Sequence, residues 1–200
     1  MKDGFKKCPF EYTLYIKKGD QGKFLMVFLY VDDLIFTGNS TSMCDEFKRN
    51  LICEFEMIDM GLLHFFLGIE VKQQDGIFIS QKKYANNILK RLKMKSATPL
   101  YTLMEVGLKL SKSENEESVD RIIYRSLVSS LMYLTATRSN LMFAVSMLSR
   151  FMESPKKSHW EAGKSVLRYL CGNINKGIHY KSVKDSTLIS YCDSDWGRKC

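Results

Sequence analysis

The sequence predicts an α+β fold in which antiparallel strands come first and helices follow. Phe24–Val31 and Leu34–Thr37 are rich in the apolar and aromatic residues that strands favour. The second half of the chain instead repeats apolar residues at helical spacing. With 200 residues, of which 45% are hydrophobic, the chain can bury the core of one or two domains.

Three strands are expected in succession near the N-terminus. Apolar and polar residues alternate over 12–17, which is the period of a half-buried strand, and Lys18–Gly22 supplies a turn into Phe24–Val31. Leu34–Thr37 continues as strand. The last two strands therefore meet at a tight turn whose tip holds two acidic residues.

One amphipathic helix and a second hairpin follow. Ser42–Asp45 matches a capping box, and the apolar positions near it have helical spacing. These positions are Cys44, Phe47, Leu51 and Phe55. We expect this helix to pack on the sheet. The segments Phe65–Val71 and Gly76–Ile79 then predict a hairpin across Lys72–Asp75.

A basic helix is predicted over Gln81–Lys95. Its apolar face carries Tyr84, Ile88 and Leu92, and no acid lies among its basic residues. The basic residues are Lys82, Lys83, Lys90, Arg91, Lys93 and Lys95. Because uncompensated positive charges repel, a nearby anion would stabilise this helix, and a phosphate backbone is the natural candidate. A solvated basic helix is the alternative.

The rest of the chain predicts a bundle of three helices and two short strands. The polar segment Ser111–Ser118 is expected to be an exposed loop at a boundary. The inner helix faces hold Tyr124, Leu127, Leu131 and Leu134, then Leu141, Val145, Leu148 and Met152, then Trp160, Gly163, Leu167 and Leu170. The third helix should begin at Ser154–Pro155, with Gly172 beyond its end. Ile178–Lys181 and Leu188–Asp193 have the composition of strands.

The charge of the chain is unevenly distributed. Residues 1–80 hold nine Lys or Arg and twelve Asp or Glu, whereas residues 81–200 hold twenty-one and ten. An acidic part followed by a basic one suits a polyanion partner, because each neutralised phosphate releases counterions. A soluble basic surface is the alternative.

The patterns of cysteine, histidine and hydropathy argue against disulfide-linked, zinc-binding, membrane-spanning and secreted proteins. The six cysteines show no paired spacing and the three histidines are far apart, so neither a disulfide framework nor a zinc site is expected. No apolar run reaches the roughly 18 residues of a membrane helix, and no signal peptide starts the chain. We therefore expect a cytoplasmic protein that is not secreted and has no membrane partner.

Asp32 and Asp33 are the candidate catalytic residues. Adjacent carboxylates repel each other and lose solvation beside a packed sheet, so we expect a cation such as Mg²⁺ to compensate them. An ordinary surface turn is the alternative, since Asp favours turns. Phospho-acceptor receiver domains also place two Asp after an apolar strand, but a helix would have to follow. Leu34–Thr37 continues as strand instead.

The residues Tyr30-Val31-Asp32-Asp33 and their strands resemble the Tyr-x-Asp-Asp signature of reverse transcriptases. The surrounding sequence is similar to that of copia-type retrotransposon Pol polyproteins. Further blocks resemble that family in family order: LHFFLGIEV (63–71), GIFISQKKYANNIL (76–89), YRSLVSSLMYLTATR (124–138), SRFMESPKKSHWEAGKSVLRYL (149–170) and YCDSDWG (191–197). The resemblance covers nearly the whole chain.

The resemblance implies three domains. Residues 1–80 would be a partial palm, an antiparallel sheet with a packed helix that contains the Tyr-x-Asp-Asp hairpin and the primer-grip hairpin. Residues 81–176 would be a helical thumb and connection. Residues 177–200 would be the truncated opening of a ribonuclease H-like domain.

The resemblance also implies roles for individual residues. Asp32 and Asp33 would hold Mg²⁺ ions that bridge to the incoming deoxynucleotide triphosphate. The primer and nucleic-acid contacts would come from Tyr30, Val31, Phe66, Leu67, Gly68, Lys82, Lys83, Lys90 and Arg91. Asp193 would be the first metal-binding carboxylate of ribonuclease H, in an incomplete site. The partners would be an RNA/DNA template–primer and nucleotides in a cytoplasmic retrotransposon particle.

Two departures from the family pattern limit the expected activity. Family members draw a third metal-binding Asp and the nucleotide-binding fingers from sequence upstream of this motif, and neither is in these 200 residues. We therefore expect a reverse transcriptase fragment that does not polymerise by itself. The alternatives are a non-catalytic nucleic-acid-binding remnant and an inert pseudogene product.

Overall fold

The first of two units, Met1–Leu63, is built on a four-stranded antiparallel sheet. The computed structural model describes residues 4–105, 107–112, 115–183, 187, 189 and 190. The strands lie in chain order: β1 (Phe5–Lys7), β2 (Leu14–Lys18), β3 (Phe24–Tyr30) and β4 (Asp33–Gly38). The sequence does not predict β1, because its three residues include two lysines. Lysine is common on edge strands such as this one.

Helix α1 (Thr41–Glu54) packs on one face of this sheet. The Phe47 ring lies 5.4 Å from the ring of Phe5 and 5.5 Å from that of Phe36. The helix begins with Ser40 as N-cap, not at the expected Ser42. The hydroxyls of Ser40 and Ser42 bond each other at 2.9 Å, so neither caps a helix amide.

The second unit, His64–Cys200, contains another antiparallel sheet. Its strands are β5 (Phe65–Phe66), β6 (Ile69–Gln73), β7 (Gly76–Ser80) and β8 (Ile178–Lys181), paired in that order. The prediction of one continuous strand over Phe65–Val71 is wrong, because Leu67 and Gly68 have φ values of 46° and 78° and form a turn. The predicted strand Ile178–Lys181 is confirmed, and it pairs with β7.

Four helices are present among the described residues of the second unit. They are α2 (Lys82–Arg91), α3 (Arg121–Leu134), α4 (Met142–Ser149) and α5 (Lys157–Gly172), with one 3-10 turn at Ser139–Leu141 before α4. The predicted inner faces are largely confirmed, since the leucines of α3 and α5 are fully buried in one apolar core. The two sheets and these helices confirm the α+β fold class. The predicted domain boundaries stay a prediction.

Helix α2 ends four residues earlier than predicted. Lys93 adopts φ 55°, and the N–H of Met94 donates to the carbonyl of Leu89 at 2.8 Å. This is a helix-terminating turn that usually employs glycine. Lys93 and Lys95 therefore lie outside the helix.

The polar segment around Glu116 is not a boundary between units. The Glu116 carboxylate accepts hydrogen bonds from the Ser158 N–H and, at 2.9 Å, from the Ser158 hydroxyl. The N–H of Val119 donates to the carbonyl of Pro155 at 3.0 Å. Lys156, which forms an antiparallel bridge with Ser118, is extended. Helix α5 therefore begins at Lys157 instead of Ser154–Pro155, and Gly172 is its last residue.

Candidate functional site

The two candidate acids lie at the tip of the β3–β4 hairpin. Tyr30 and Asp33 form the last pair of the ladder, so Val31 and Asp32 are the two residues of the turn. The predicted hairpin is confirmed, and β4 follows where a receiver domain would have a helix. The structure thus brings four sequence-predicted site residues into one turn.

Val31 has a backbone conformation that is rare for its residue type. Its φ is 56°, in the left-handed region, where the branched Cβ of valine is disfavoured. Residues in such conformations cost roughly 1–3 kcal/mol and concentrate at functional sites. Glycine, which favours such turns in plain hairpins, is absent from this turn.

Both carboxylates of the turn are exposed to solvent. Asp32 and Asp33 are exposed, and Val31 beside them is 84% exposed. The expectation that a packed sheet desolvates these charges is therefore not met within this unit. Neither acid forms an ion pair with another described residue.

The donor chemistry of the turn fits Mg²⁺. Carboxylate oxygens are the hard ligands that this ion prefers, and here two of them come from consecutive residues with open access. Across the part of the chain that the structure describes, no three His, Cys, Asp or Glu residues are grouped as a metal site. Asp32 and Asp33 could thus contribute a pair of ligands to a larger set. Asp193 lies outside the described residues.

Apolar side chains line the approach to the acids. Phe28 is 38% exposed, Leu29 44% and Tyr30 48%. The α1 helix lies over the other end of the sheet, where Leu25 and Val27 are buried. The tip of the hairpin therefore presents an open apolar surface next to two negative charges.

The predicted primer-contacting residues lie in the turn of the β5–β6 hairpin. Phe66 pairs with Ile69, and Leu67 and Gly68 connect them. Leu67 is exposed, whereas the Tyr133 ring covers Gly68, with its nearest atom 3.4 Å from where a Cβ of Gly68 would lie. The Tyr133 hydroxyl donates a hydrogen bond to the Leu67 carbonyl.

All four predicted basic site residues of α2 are exposed. Lys82 and Lys83 lie at its first turn and Lys90 and Arg91 at its last, about 12 Å apart along the axis. The backbone N–H of Lys83 donates to the Glu70 carboxylate at 2.6 Å. The side-chain ammonium of Lys83 lies 5.5 Å from the centre of a phenyl ring of β5. The start of the basic helix thus adjoins the β5–β6 hairpin.

Sequence reasoning missed three residues that organise this region. Glu70 caps the start of α2, Tyr133 touches the turn at Leu67, and the buried Gln81 donates to the Tyr133 carbonyl at 3.2 Å. Leu67 and Tyr133 are 66 residues apart in the chain. Residue spacing within a helix or strand cannot predict a contact between residues so far apart, so no sequence signal was available for it.

Comparisons with known proteins identify relatives of this chain. The reverse transcriptase (RNA-dependent DNA polymerase) family matches residues 1–106. The Retrovirus-related Pol polyprotein from transposon RE1 of Arabidopsis thaliana is 37% identical over 96% of this chain and 13% of its own length. The Retrovirus-related Pol polyprotein from transposon TNT 1-94 of Nicotiana tabacum is 34% identical over 91% of this chain and 14% of its own length.

A shorter relative is matched over most of its length. An uncharacterised mitochondrial protein of Arabidopsis thaliana is 35% identical over 86% of this chain and 72% of its own sequence. No solved structure matches the chain.

The β3–β4 hairpin, with its two adjacent carboxylates, lies within the residues that this family matches. The chain belongs to the reverse transcriptase (RNA-dependent DNA polymerase) family. Its curated relatives include copia-type Pol polyproteins from transposons, of which it spans about an eighth of the length.

Among the described residues, no helix combines the length and apolar character that a bilayer crossing requires.

Proposed function

We propose that this chain is the C-terminal part of a copia-type reverse transcriptase, an RNA-directed DNA polymerase that works by two-metal nucleotidyl transfer. The observation that supports this most is the β3–β4 turn, in which Asp32 and Asp33 are adjacent, exposed and held by a strained Val31. In this proposal β1–β4 and α1 belong to the palm. The hairpins of the second sheet belong to the primer grip, and α2–α5 to the thumb and connection.

Asp32 and Asp33 would hold Mg²⁺ in this reaction. When bound, the metal would lower the pKa of the primer 3′ hydroxyl and neutralise charge on the departing pyrophosphate. The two carboxylates supply the negative charge that keeps the metal at the turn. Tyr30 and Val31 supply an exposed apolar floor on which the terminal primer nucleotide can rest.

The template–primer would be held by the second unit. By the family resemblance, Phe66, Leu67 and Gly68 would contact the primer strand near its 3′ end, and of these Leu67 is exposed whereas Phe66 and Gly68 are partly buried. Lys82, Lys83, Lys90 and Arg91 would contact phosphates. The substrates would be an RNA/DNA template–primer and deoxynucleotide triphosphates, and the setting a cytoplasmic retrotransposon particle. Asp193 would be the first metal-binding carboxylate of a ribonuclease H-like site.

Taken by themselves, these 200 residues should bind nucleic acid without polymerising. They supply two of the three carboxylates that the resembled family uses and none of the fingers that clamp the triphosphate. The second candidate function is therefore a non-catalytic nucleic-acid-binding remnant. The exposed basic residues at both ends of α2 favour it.

Primer extension tests the polymerase proposal. The reading frame would be extended upstream until it includes an Asp that follows an apolar strand, and extension of a DNA primer on an RNA template would be measured with Mg²⁺. Asp32→Asn and Asp33→Asn should each reduce the rate by roughly a hundredfold or more, because a charge at the reacting phosphates is lost. Asp45→Asn, an exposed acid of α1, is the matched control and should leave the rate unchanged.

Two results would favour the alternatives to a polymerase. Salt-sensitive binding of an RNA–DNA hybrid without any extension activity, unaffected by Asp32→Asn, would favour the binding remnant. Absence of both hybrid binding and cooperative unfolding would identify an inert product.

A further inference from the structure

The β5–β6 hairpin is too small to fix the position of its own turn. It has only two ladder pairs, Phe65 with Glu70 and Phe66 with Ile69, and β5 is an edge strand. Strand β7 supports β6 on its other side, but β5 has only two residues and no second neighbour among the described strands, so few backbone hydrogen bonds hold the turn. The place of Leu67 and Gly68 must therefore depend on contacts from outside the hairpin.

Tyr133 of α3 supplies those contacts. Its hydroxyl donates to the Leu67 carbonyl, and its ring lies 3.4 Å from where a Cβ of Gly68 would be. Any side chain at Gly68 would meet this ring, and the φ of 78° there also favours glycine. One aromatic side chain therefore contacts both residues of the turn.

Tyr133 is itself held in place from α2. Its ring packs edge-on against the ring of Tyr84, with centroids 4.9 Å apart. Its carbonyl accepts a hydrogen bond from the side chain of Gln81, which is fully buried. The turn of the hairpin is therefore coupled to both α2 and α3.

We propose that Tyr133 is a positioning residue that fixes the Leu67–Gly68 turn so that it can hold the 3′ end of a primer strand. The inference rests on the proposed function, since it assumes that this turn contacts a primer. A neutral hydrogen bond of this kind changes an equilibrium by about two- to tenfold. The preference of the chain for a free primer 3′ end over a closed one should therefore fall by about two- to tenfold when the Tyr133 hydroxyl is removed.

The test compares two hybrids with the 200-residue chain. One is an RNA template annealed to a DNA primer with a free, recessed 3′ end. The other is the same hybrid with that 3′ end joined to the template by a tight loop. The measured quantity is the ratio of the two dissociation constants, because loss of folded protein would affect both hybrids equally.

Tyr133→Phe keeps the ring and removes the hydroxyl. We expect the wild-type chain to prefer the free end, and Tyr133→Phe to reduce this preference by about two- to tenfold without changing affinity for the looped hybrid. Tyr169→Phe is the matched control, because it also removes one hydroxyl, which accepts a hydrogen bond from Asn140 at 3.0 Å. It should leave the preference unchanged.

A second variant tests the same contact from the other side. Gly68→Ala places a methyl group in contact with the Tyr133 ring and at a φ of 78°, where alanine is strained, so the preference should fall as well. Loss of preference in Gly68→Ala together with full preference in Tyr133→Phe would overturn the role of Tyr133.

The outcomes separate this inference from the proposed function. If the wild-type chain prefers the free end and Tyr133→Phe does so equally, only the inference is overturned. If the wild-type chain binds both hybrids equally, the inference is overturned and the polymerase proposal rests on primer extension. If it binds neither hybrid, nucleic-acid binding by the chain and the inference are overturned together.

Discussion

Gln81 and Thr137, which are 56 residues apart, share a buried hydrogen bond of 2.9 Å from the Thr137 hydroxyl to the Gln81 side-chain oxygen. The same Gln81 side chain donates to the carbonyl of Tyr133. Both Gln81 and Thr137 are at most 1% exposed. The start of α2 and the end of α3 are therefore joined by one polar side chain whose donor and acceptor are each satisfied.

Thr137→Val should destabilise the second unit by about 1–3 kcal/mol. Valine has the shape of threonine without its hydroxyl, so the Gln81 oxygen stays buried without this donor. Urea unfolding followed by tryptophan fluorescence measures this, because Trp160 packs against the apolar core of the second unit. A loss of stability with an unchanged denaturant slope is expected.

Thr135→Val is the matched control for that measurement. The Thr135 hydroxyl bonds the nearby carbonyl of Met132 at 2.6 Å, and the residue is only partly buried. Its removal should change the free energy of unfolding by less than about 0.5 kcal/mol. Equal effects of the two variants would contradict a special role for the Gln81–Thr137 bond.

Apolar periodicity was sufficient to predict which faces α3 and α5 bury, whereas no residue of the predicted apolar face of α1 is fully buried. Leu127 and Leu131 of α3 and Leu167 of α5 were expected inside and are at most 1% exposed. Helical spacing fixes which side chains share a face, and burial of that face is the largest favourable term in folding. This part of the fold is therefore determined by residues that are close together in the sequence.

Element ends were less predictable, because single backbone conformations decide them. Lys93 ends α2 and Leu67 breaks a predicted strand, each at a positive φ that its residue type does not signal. The same holds within the candidate site. The hairpin of Asp32 and Asp33 follows from local pattern, whereas the contact of Tyr133 with Leu67 requires the tertiary fold.

Lys93→Gly should stabilise the second unit by about 0.5–1 kcal/mol. Lysine is strained at φ 55°, whereas glycine adopts this conformation freely, and its greater freedom in the unfolded chain offsets part of the gain. Urea unfolding with tryptophan fluorescence is the measurement. Lys95→Gly removes the same charge two residues later and should give no stabilisation. The prediction is wrong if the two variants are equally stable.

The basic residues of α2 should set the salt dependence of nucleic-acid binding. Replacing Lys82 and Lys90 together with Gln should weaken binding of an RNA–DNA hybrid. The slope of log affinity against log salt should fall by roughly 1.5, because two phosphate contacts no longer release counterions. Fluorescence anisotropy over a range of salt concentrations measures the slope.

Lys112→Gln is the control for this experiment. Lys112 is also exposed but lies outside α2, so its loss should leave the slope unchanged. Equal slopes for wild type and the Lys82, Lys90 variant would show that the phosphates lie elsewhere on the chain.

Stability of the second unit should fall below about pH 6.5 because of His159. This ring is fully buried and stacks on Phe151 with centroids 3.8 Å apart. Its Nδ1 accepts from the Lys156 N–H at 2.9 Å, and its Nε2 lies 2.9 Å from the Ser111 carbonyl. Accepting at one nitrogen and donating from the other requires the neutral imidazole. Burial accordingly lowers the pKa of His159 below its ordinary 6.5, although the hydrogen bond with the Ser111 carbonyl and then the nearby Glu116 charge oppose this.

The direction of this pH effect on stability follows from how many protons the folded and the unfolded chain bind. Above pH 6.5 His159 is neutral in both the folded and the unfolded chain, so its contribution to stability is fully present. As the pH falls through 6.5 toward the lowered folded pKa, the unfolded chain binds a proton that the folded chain resists, and stability is lost by at most about 1.4 kcal/mol per pH unit. Hydrogen bonds from Ser158 lower the pKa of Glu116 below 4.5, so this carboxylate stays charged throughout that window.

Urea unfolding at pH 7.5, 6.5 and 5.5 measures the effect, with His159→Gln as the variant that cannot titrate. His159→Gln should be less stable than wild type at pH 7.5, because the stacked ring is lost, yet its stability should change less between pH 7.5 and 5.5. His64→Gln removes an imidazole from an exposed loop of the same unit and should retain the wild-type pH dependence. A wild-type pH dependence that persists in His159→Gln would mean that another group, and not the buried imidazole, is the one protonated on unfolding.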